Sequence, residues 1–215
     1  MRRVRVKVCG ITNVRDLEVA VEAGADALGF VVDVPESPRS ISSDRACDLV
    51  EATPPFVQNV LVSVFDTVDQ LEALCSHVAP DAVQVAGPLP PGATRDQLRG
   101  VRVIHVVAVN DDVDIAFPAA KRCDAVLTDS CVPGAHGGTG QPHDWNVSRA
   151  IGELIAPTPL ILAGGLTPAN VRAAIEMVRP YAVDVSTGVE SRAGIKDPAK
   201  IRAFIEAVTE ASDGL

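Results

Sequence analysis

The stretch Arg3-Val4-Arg5-Val6-Lys7-Val8-Cys9-Gly10-Ile11-Thr12-Asn13, with Ala27-Leu28-Gly29-Phe30-Val31-Val32 a short helix later, decides how the chain folds. Basic and apolar residues alternate over residues 3–8, which predicts a β-strand, and Gly10, Thr12 and Asn13 supply a turn and a helix N-cap. Val14, Leu17, Val19, Ala20 and Val21 then give one apolar face to a helix reaching about Ala23. Asp16 sits in its first turn, where the helix dipole favours negative charge, and Gly24 ends it. The run 27–32 is almost unbroken in its apolarity, as in strands buried on both faces of a parallel sheet. Strand, helix and parallel strand are therefore expected at once.

The alternation continues along the chain. A helix over 43–52 leads to a strand over 59–64, and a helix opening at Asp66 ends near His77. Further strands are predicted over 82–85, 101–107, 124–128, 159–163 and 182–186. Short helices are expected over 94–98 and 111–121, and another starts at Trp145. One more has Thr167 as N-cap with Pro168 in its first position, and the last runs from Pro198 to about Ala211. Eight strands, each followed by a helix or a helical remnant, point to an α/β chain folded as a single (β/α)8 TIM barrel domain over residues 1–215. The alternative is an open doubly wound sheet. Its dinucleotide-binding form wants GxGxxG after the first strand, and that motif is missing here.

Composition narrows the partners. Apolar residues make up 47% of the chain, yet no run approaches the roughly 20 residues that span a bilayer. The N-terminus enters a strand without the apolar region of a signal peptide, so a cytoplasmic location is expected. Net charge is −9, with 28 acidic residues against 19 basic, and an anionic surface repels nucleic acid and anionic lipid. Cys9, Cys47, Cys75, Cys123 and Cys131 are odd in number, widely spaced and without a CxxC pair, which suits reduced thiols. His77, His105, His136 and His143 are equally scattered. Neither a metal nor a cofactor is expected, and the partner is a small molecule bound by a monomer or a homodimer.

In barrels of this class chemistry sits at the carboxyl ends of the strands. Cys9 lies there, although an isolated cysteine usually serves as a small buried hydrophobe. Arg39, in the loop after the second strand, is on the same edge; its fork suits a carboxylate or phosphate if it is not merely solvated. Gly164-Gly165 follow the seventh strand and Ser186-Thr187-Gly188 the eighth, the two places where backbone amides commonly hold a phosphate. The long loop 130–144 contains Gly137-Gly138-Thr139-Gly140, whose amides could help to close over it. A small phosphorylated substrate is the expectation.

Six segments stand in a recognisable order: Lys7-Val8-Cys9-Gly10-Ile11-Thr12; Ser37-Pro38-Arg39; Asp129; Gly137-Gly138-Thr139-Gly140 with Asp144-Trp145; Leu162-Ala163-Gly164-Gly165-Leu166; and Asp184-Val185-Ser186-Thr187-Gly188-Val189-Glu190 with Gly194-Ile195-Lys196-Asp197. Over nearly its whole length the chain resembles the phosphoribosylanthranilate isomerases of tryptophan biosynthesis. The resemblance implies an Amadori rearrangement of the aminoaldose N-(5-phosphoribosyl)anthranilate to 1-(o-carboxyphenylamino)-1-deoxyribulose 5-phosphate. It implies Cys9 as general base and Asp129 as general acid. Lys7, Arg39, Gln84, Gly138, Thr139, Gly140 and Asp184 would contact the substrate, with Arg39 on the anthranilate carboxylate. Strand alternation puts Lys7 on the side of Cys9, where its charge would favour the thiolate. Asp184 shares a side with Ser186, for a role near the phosphate or a structural hydrogen bond. The chain departs from the family at Val83-Gln84-Val85-Ala86-Gly87, where Ala86 replaces the usual histidine. Other phosphosugar barrels compete with this reading: an epimerase would want metal ligands, and the aminoaldose isomerase of histidine synthesis an aspartate at position 9. A non-catalytic sugar-phosphate barrel is disfavoured by the retention of Cys9 and Asp129.

Overall fold

The computed structural model describes residues 3–214, apart from 95, 99, 110–115 and 131–142. Its strands are β1 (Arg5–Cys9), β2 (Ala27–Val32), β3 (Ser40–Ile41), β4 (Gln58–Ser63), β5 (Ala82–Val85), β6 (Arg102–Ala108), β7 (Ala125–Asp129), β8 (Leu160–Leu162) and β9 (Ala182–Val185), with a hairpin of β10 (Glu190–Arg192) and β11 (Ile195–Lys196). The helices are α1 (Val14–Ala23), α2 (Ser43–Ala52), α3 (Val68–Val78), α4 (Ala116–Ala120), α5 (Trp145–Ile155), α6 (Val171–Val178) and α7 (Pro198–Asp213).

β1 pairs in parallel with β2 on one side and β9 on the other, which closes a ring through β4, β5, β6, β7 and β8. The predicted (β/α)8 barrel is therefore the observed one, and β3 only extends the edge of β2, with Ser40 opposite Val31. Strand alternation sorts the side chains into two layers. Val6, Val8, Leu28, Phe30 and Leu61 face outward and pack under the helices, where Leu17 and Phe204 are fully buried. Val60, Val62, Ala82, Ile104, Leu127 and Ile161 fill the barrel, and Cys9 belongs to this inner cluster. Asn13 caps α1 by accepting from the Asp16 amide, and Gly24 ends that helix at φ 100°. Asp197 caps α7, with Pro198 in the first turn as predicted.

A repeated device fixes strand register at the amino end of the barrel. Asp26, Asp81 and Asp124 each precede an alanine that opens a strand, and each Oδ2 accepts from a backbone amide of the preceding ring strand. The partners are Val6 N at 2.8 Å, Asn59 N at 2.7 Å and Val103 N at 2.8 Å. The amide of each aspartate donates back to the carbonyl of the same residue. Alternate strand pairs, β1 with β2, β4 with β5 and β6 with β7, are thus pinned by a charge-assisted bond.

Three predicted helices differ from the observed ones. Residues 94–98 form turns rather than a helix among the described residues. The proline-rich segment 88–92 leads into that stretch, and Arg122 Nη2 donates to the Pro90 and Ala93 carbonyls there, at 2.8 and 3.2 Å. Of the span 111–121, residues 111–115 lie outside the described residues, and α4 is the helical part of those that are described. α6 begins at Val171, three residues later than Pro168. Asn170 Oδ1 accepts from Thr167 N at 2.7 Å and its Nδ2 donates to Gly165 O at 2.9 Å, so a side-chain turn occupies the segment where the helix was expected. Among the described residues no helix is long and apolar enough to cross a membrane.

The carboxyl ends of β1, β7, β8 and β9 meet at the opposite mouth from the aspartate pins. Asp124→Ala is accordingly expected to lower unfolding free energy by about 1–3 kcal/mol. Asp124→Asn, which keeps an acceptor oxygen, should cost less. Urea titrations read both effects, and kcat and KM should stay at the parent values.

Candidate active site

Cys9 ends β1 and is 8% exposed, facing into the barrel. Lys7, two residues earlier on the same side, stands opposite Asp184 of β9 in register, and its Nζ donates to Asp184 Oδ1 at 3.0 Å. Gly29 of β2 faces Cys9 from the other neighbouring strand. A Cβ at Gly29 would lie 2.8 Å from Cys9 Sγ and 3.0 Å from Lys7 Nζ, so the absence of a side chain there makes the space that the thiol and the ammonium occupy. Asp129 ends β7, half-buried. With Asp184 it lines a cavity of about 50 Å³ whose remaining wall includes Gly164, Gly165, Ser186, Thr187 and Gly188. The two candidate phosphate turns therefore converge on the candidate acid.

Arg39 reaches the same mouth from the loop after β2, and Glu190 grips it: Nε and Nη2 donate to Oε1 and Oε2, both at 2.8 Å. Gln84 points inward from β5, buried, and its Oε1 has no hydrogen-bond partner among the described residues. Ala86, two residues on, packs against the inner cluster and occupies little of the mouth. Gly138, Thr139 and Gly140 lie outside the described residues. A larger cavity, of about 950 Å³, opens at the far end of the barrel against Arg3, Arg149 and Tyr181, and contains neither Cys9 nor Asp129.

Comparison with known proteins agrees with this geometry. The chain matches the N-(5'-phosphoribosyl)anthranilate (PRA) isomerase family over residues 6–207. The N-(5'-phosphoribosyl)anthranilate isomerase of Halobacterium salinarum is 46% identical over 213 residues, covering 97% of each chain. The chain belongs to this family. The phosphoribosyl anthranilate isomerase of Thermotoga maritima superposes with a TM-score of 0.84 at 38% identity, covering 99% of this chain and 100% of that one. A phosphoribosyl anthranilate isomerase solved in complex with reduced 1-(o-carboxyphenylamino)-1-deoxyribulose 5-phosphate gives 0.81 at 37% identity, with the same coverage.

In this member of the isomerase family, burial and neighbouring charge set the acid and the thiol apart from their ordinary values. Desolvation and the nearby Asp184 carboxylate raise Asp129 to about 6, against the Ser130 amide and Lys7, which pull the other way. A carboxyl in that range is still partly protonated near neutrality. Burial also pushes the Cys9 thiol up, and outweighs Lys7 and Lys196, which favour the thiolate. The neighbouring cations expected from sequence are present, but the dry setting wins over them. Burial works against the Lys7 ammonium too, yet Asp184 and Cys9 more than offset it and hold Lys7 charged.

Gly29, Glu190 and Lys196 carry no role in the sequence reading. An isolated glycine inside an apolar strand signals a close approach, but not of which atoms. Glu190 and Lys196 are visible as motif positions, while their meeting with Arg39 depends on a hairpin that no strand periodicity announces. Gly29→Ala tests the space argument: a Cβ displaces the thiol or the ammonium by a fraction of an ångström. An expected loss of about 100-fold in kcat/KM, with a modest fall in melting temperature, would show in steady-state kinetics and a thermal melt.

Proposed function

We propose that the chain carries out the family's Amadori rearrangement, N-(5-phosphoribosyl)anthranilate to 1-(o-carboxyphenylamino)-1-deoxyribulose 5-phosphate, with Asp129 as general acid and Cys9 as general base. The observation that supports the roles most directly is their placement. Both groups face one barrel mouth from different strands, and Asp129 opens on the cavity formed by the two phosphate turns.

The chemistry needs an acid and a base in turn. Asp129 protonates the furanose ring oxygen as the C1–O bond breaks, leaving an open-chain iminium between C1 and the anthranilate nitrogen. Cys9 as thiolate removes the C2 proton, and the released electron pair forms the C1–C2 double bond as the C1–N π pair returns to nitrogen, giving an enolamine. Return of a proton to C1 and loss of the C2 hydroxyl proton complete the aminoketose, with no net change in protons. Lys7 Nζ steadies the thiolate, and Asp184 fixes Lys7 by the 3.0 Å bond. The amides of Gly164, Gly165, Ser186, Thr187 and Gly188 hold the phosphate. Arg39 takes the anthranilate carboxylate, and the free Gln84 Oε1 accepts from a sugar hydroxyl. In this reading the chain is one cytoplasmic barrel domain, acting without a cofactor as a monomer or homodimer; the dimeric Thermotoga maritima relative has been solved as generated monomers.

Loss of substrate fluorescence on mixing with freshly prepared N-(5-phosphoribosyl)anthranilate tests the activity. Cys9→Ala and Asp129→Ala should each lower kcat by about 10²–10⁴-fold, and full activity in either variant would remove that residue from the mechanism.

The pH profile of kcat/KM follows from the two shifts in the free site. The competent form has Asp129 protonated and Cys9 ionised. Below pH 6 the acid is loaded and thiolate grows with pH, so the rate rises; above about 6, loss of the Asp129 proton cancels that gain and the rate levels. It falls again beyond the raised Cys9 value. Asp184→Asn removes the like charge beside Asp129 and should move the lower bend to a more acidic pH; a bend that stays in place would exclude Asp129 as its source.

A further inference from the structure

Glu190 opens the hairpin of β10 and β11 with its side chain 4% exposed, and two cations converge on it. Besides the double bond to Arg39, Oε1 accepts from Lys196 Nζ at 3.0 Å. The Lys196 side chain is 0% exposed, and its Nζ also donates to the Ser186 carbonyl at 3.3 Å and to Ser186 Oγ at 3.4 Å. The clamp is braced from outside. Lys200 Nζ donates to the Glu190 carbonyl at 2.7 Å, and the buried Asp16 accepts from the Lys196 amide at 2.8 Å. On the other side the Arg39 chain lies against Gly10, its Cδ 2.6 Å from where a Cβ would stand, beside Cys9.

We propose that Glu190 is a positioning residue that sets both anion-binding ends of the site: Arg39 directly, and Ser186 through Lys196. This rests on the reading of Arg39 as the carboxylate ligand. Glu190 occupies the Nε–Nη2 edge of the guanidinium, and Nη1 has no partner among the described residues. The free Nη1–Nη2 edge offers two parallel donors, the geometry that a second carboxylate takes. An arginine side chain left loose would lose rotamer freedom on binding; one already gripped has lost it in folding, so less affinity is forfeited when the carboxylate arrives. Burial opposes the Glu190 charge, but Arg39 and Lys196 hold its carboxyl below the ordinary value, so Glu190 stays ionised through neutral pH; burial draws the Lys196 ammonium down, against the pull of Glu190. The single carboxylate thereby ties the spacing between the carboxylate end and the phosphate end to one rigid hairpin.

The test compares N-(5-phosphoribosyl)anthranilate with N-(5-phosphoribosyl)aniline, which lacks the carboxylate, in the parent, Arg39→Ala and Glu190→Gln. The expected result is a fall of about tenfold or more in preference for the anthranilate substrate in both variants, carried by KM rather than kcat. Inhibition by ribose 5-phosphate should weaken in Glu190→Gln and not in Arg39→Ala. An unchanged preference in Arg39→Ala overturns the reading of Arg39 and the clamp with it. A lost preference in Arg39→Ala but a retained one in Glu190→Gln overturns the clamp alone, and unaltered ribose 5-phosphate inhibition in Glu190→Gln overturns the link to Ser186. Should Glu190→Gln fail to fold, the double variant Glu190→Gln with Lys196→Met leaves no unpaired buried lysine, and its substrate preference is read by the same criterion.

Discussion

The barrel closes where β9 meets β1, and that seam carries a buried ion pair, Lys7 Nζ to Asp184 Oδ1 at 3.0 Å, at matched register. Two charges out of water are a poor way to hold a seam: well-packed apolar residues of similar size often do as well or better. The value of the pair lies in its neighbours. Lys7 is the strongest influence opposing the burial of Cys9, and Asp184 is the charged neighbour that helps to keep a proton on Asp129. Ring closure and site electrostatics thus meet in one contact, because the chain's first and last barrel strands must be adjacent for either to exist.

Much of the barrel was legible because its signal is local. Alternation in β1, the apolar run of β2, the cap at Asn13 and Pro198 at the start of α7 each depend on a few adjacent residues, and the observed elements follow them. Where a side chain reaches across a turn, local pattern fails. Asn170 bonds Thr167 and Gly165 and delays α6, and Arg122, from beyond α4, satisfies the carbonyls of a proline-rich stretch that has no helix. The Asp26, Asp81 and Asp124 pins were present in sequence as three Asp-Ala steps ahead of strands, but their partners on the preceding ring strand emerge only once the register is set.

The candidate site divides in the same way. Strand alternation puts Lys7 and Cys9 on one side, and the turn glycines after β8 together with Ser186-Thr187-Gly188 after β9 face a shared cavity, as their positions suggested. Sequence placed Arg39 at the right edge but not in the grip of Glu190, since the two are 151 residues apart. Gly29 is similar: what makes it necessary is the pair of atoms, Cys9 Sγ and Lys7 Nζ, that crowd its missing Cβ. Ala86 leaves the mouth open above Gln84, whose Oε1 remains without a partner among the described residues.

Acid and base must respond differently to the same field, and the layout of cations accounts for how they can. Any added negative charge raises both Asp129 and Cys9, which helps the acid and hinders the base. A phosphate at the two glycine turns would stand beside Asp129, in the cavity that Asp129 itself lines, and so would act first on the acid. Lys7 acts on both groups, drawing Asp129 down while favouring the thiolate; Lys196 acts on Cys9, and Arg39 feels the same thiol. With Glu190 already balancing Arg39, a carboxylate bound there would change little at the thiol, where Lys7 is the largest cationic influence. On the proposed roles, the cation that most favours the thiolate and the cation offered to the substrate carboxylate are different residues, so binding that carboxylate leaves in place the charge on which the thiolate depends most.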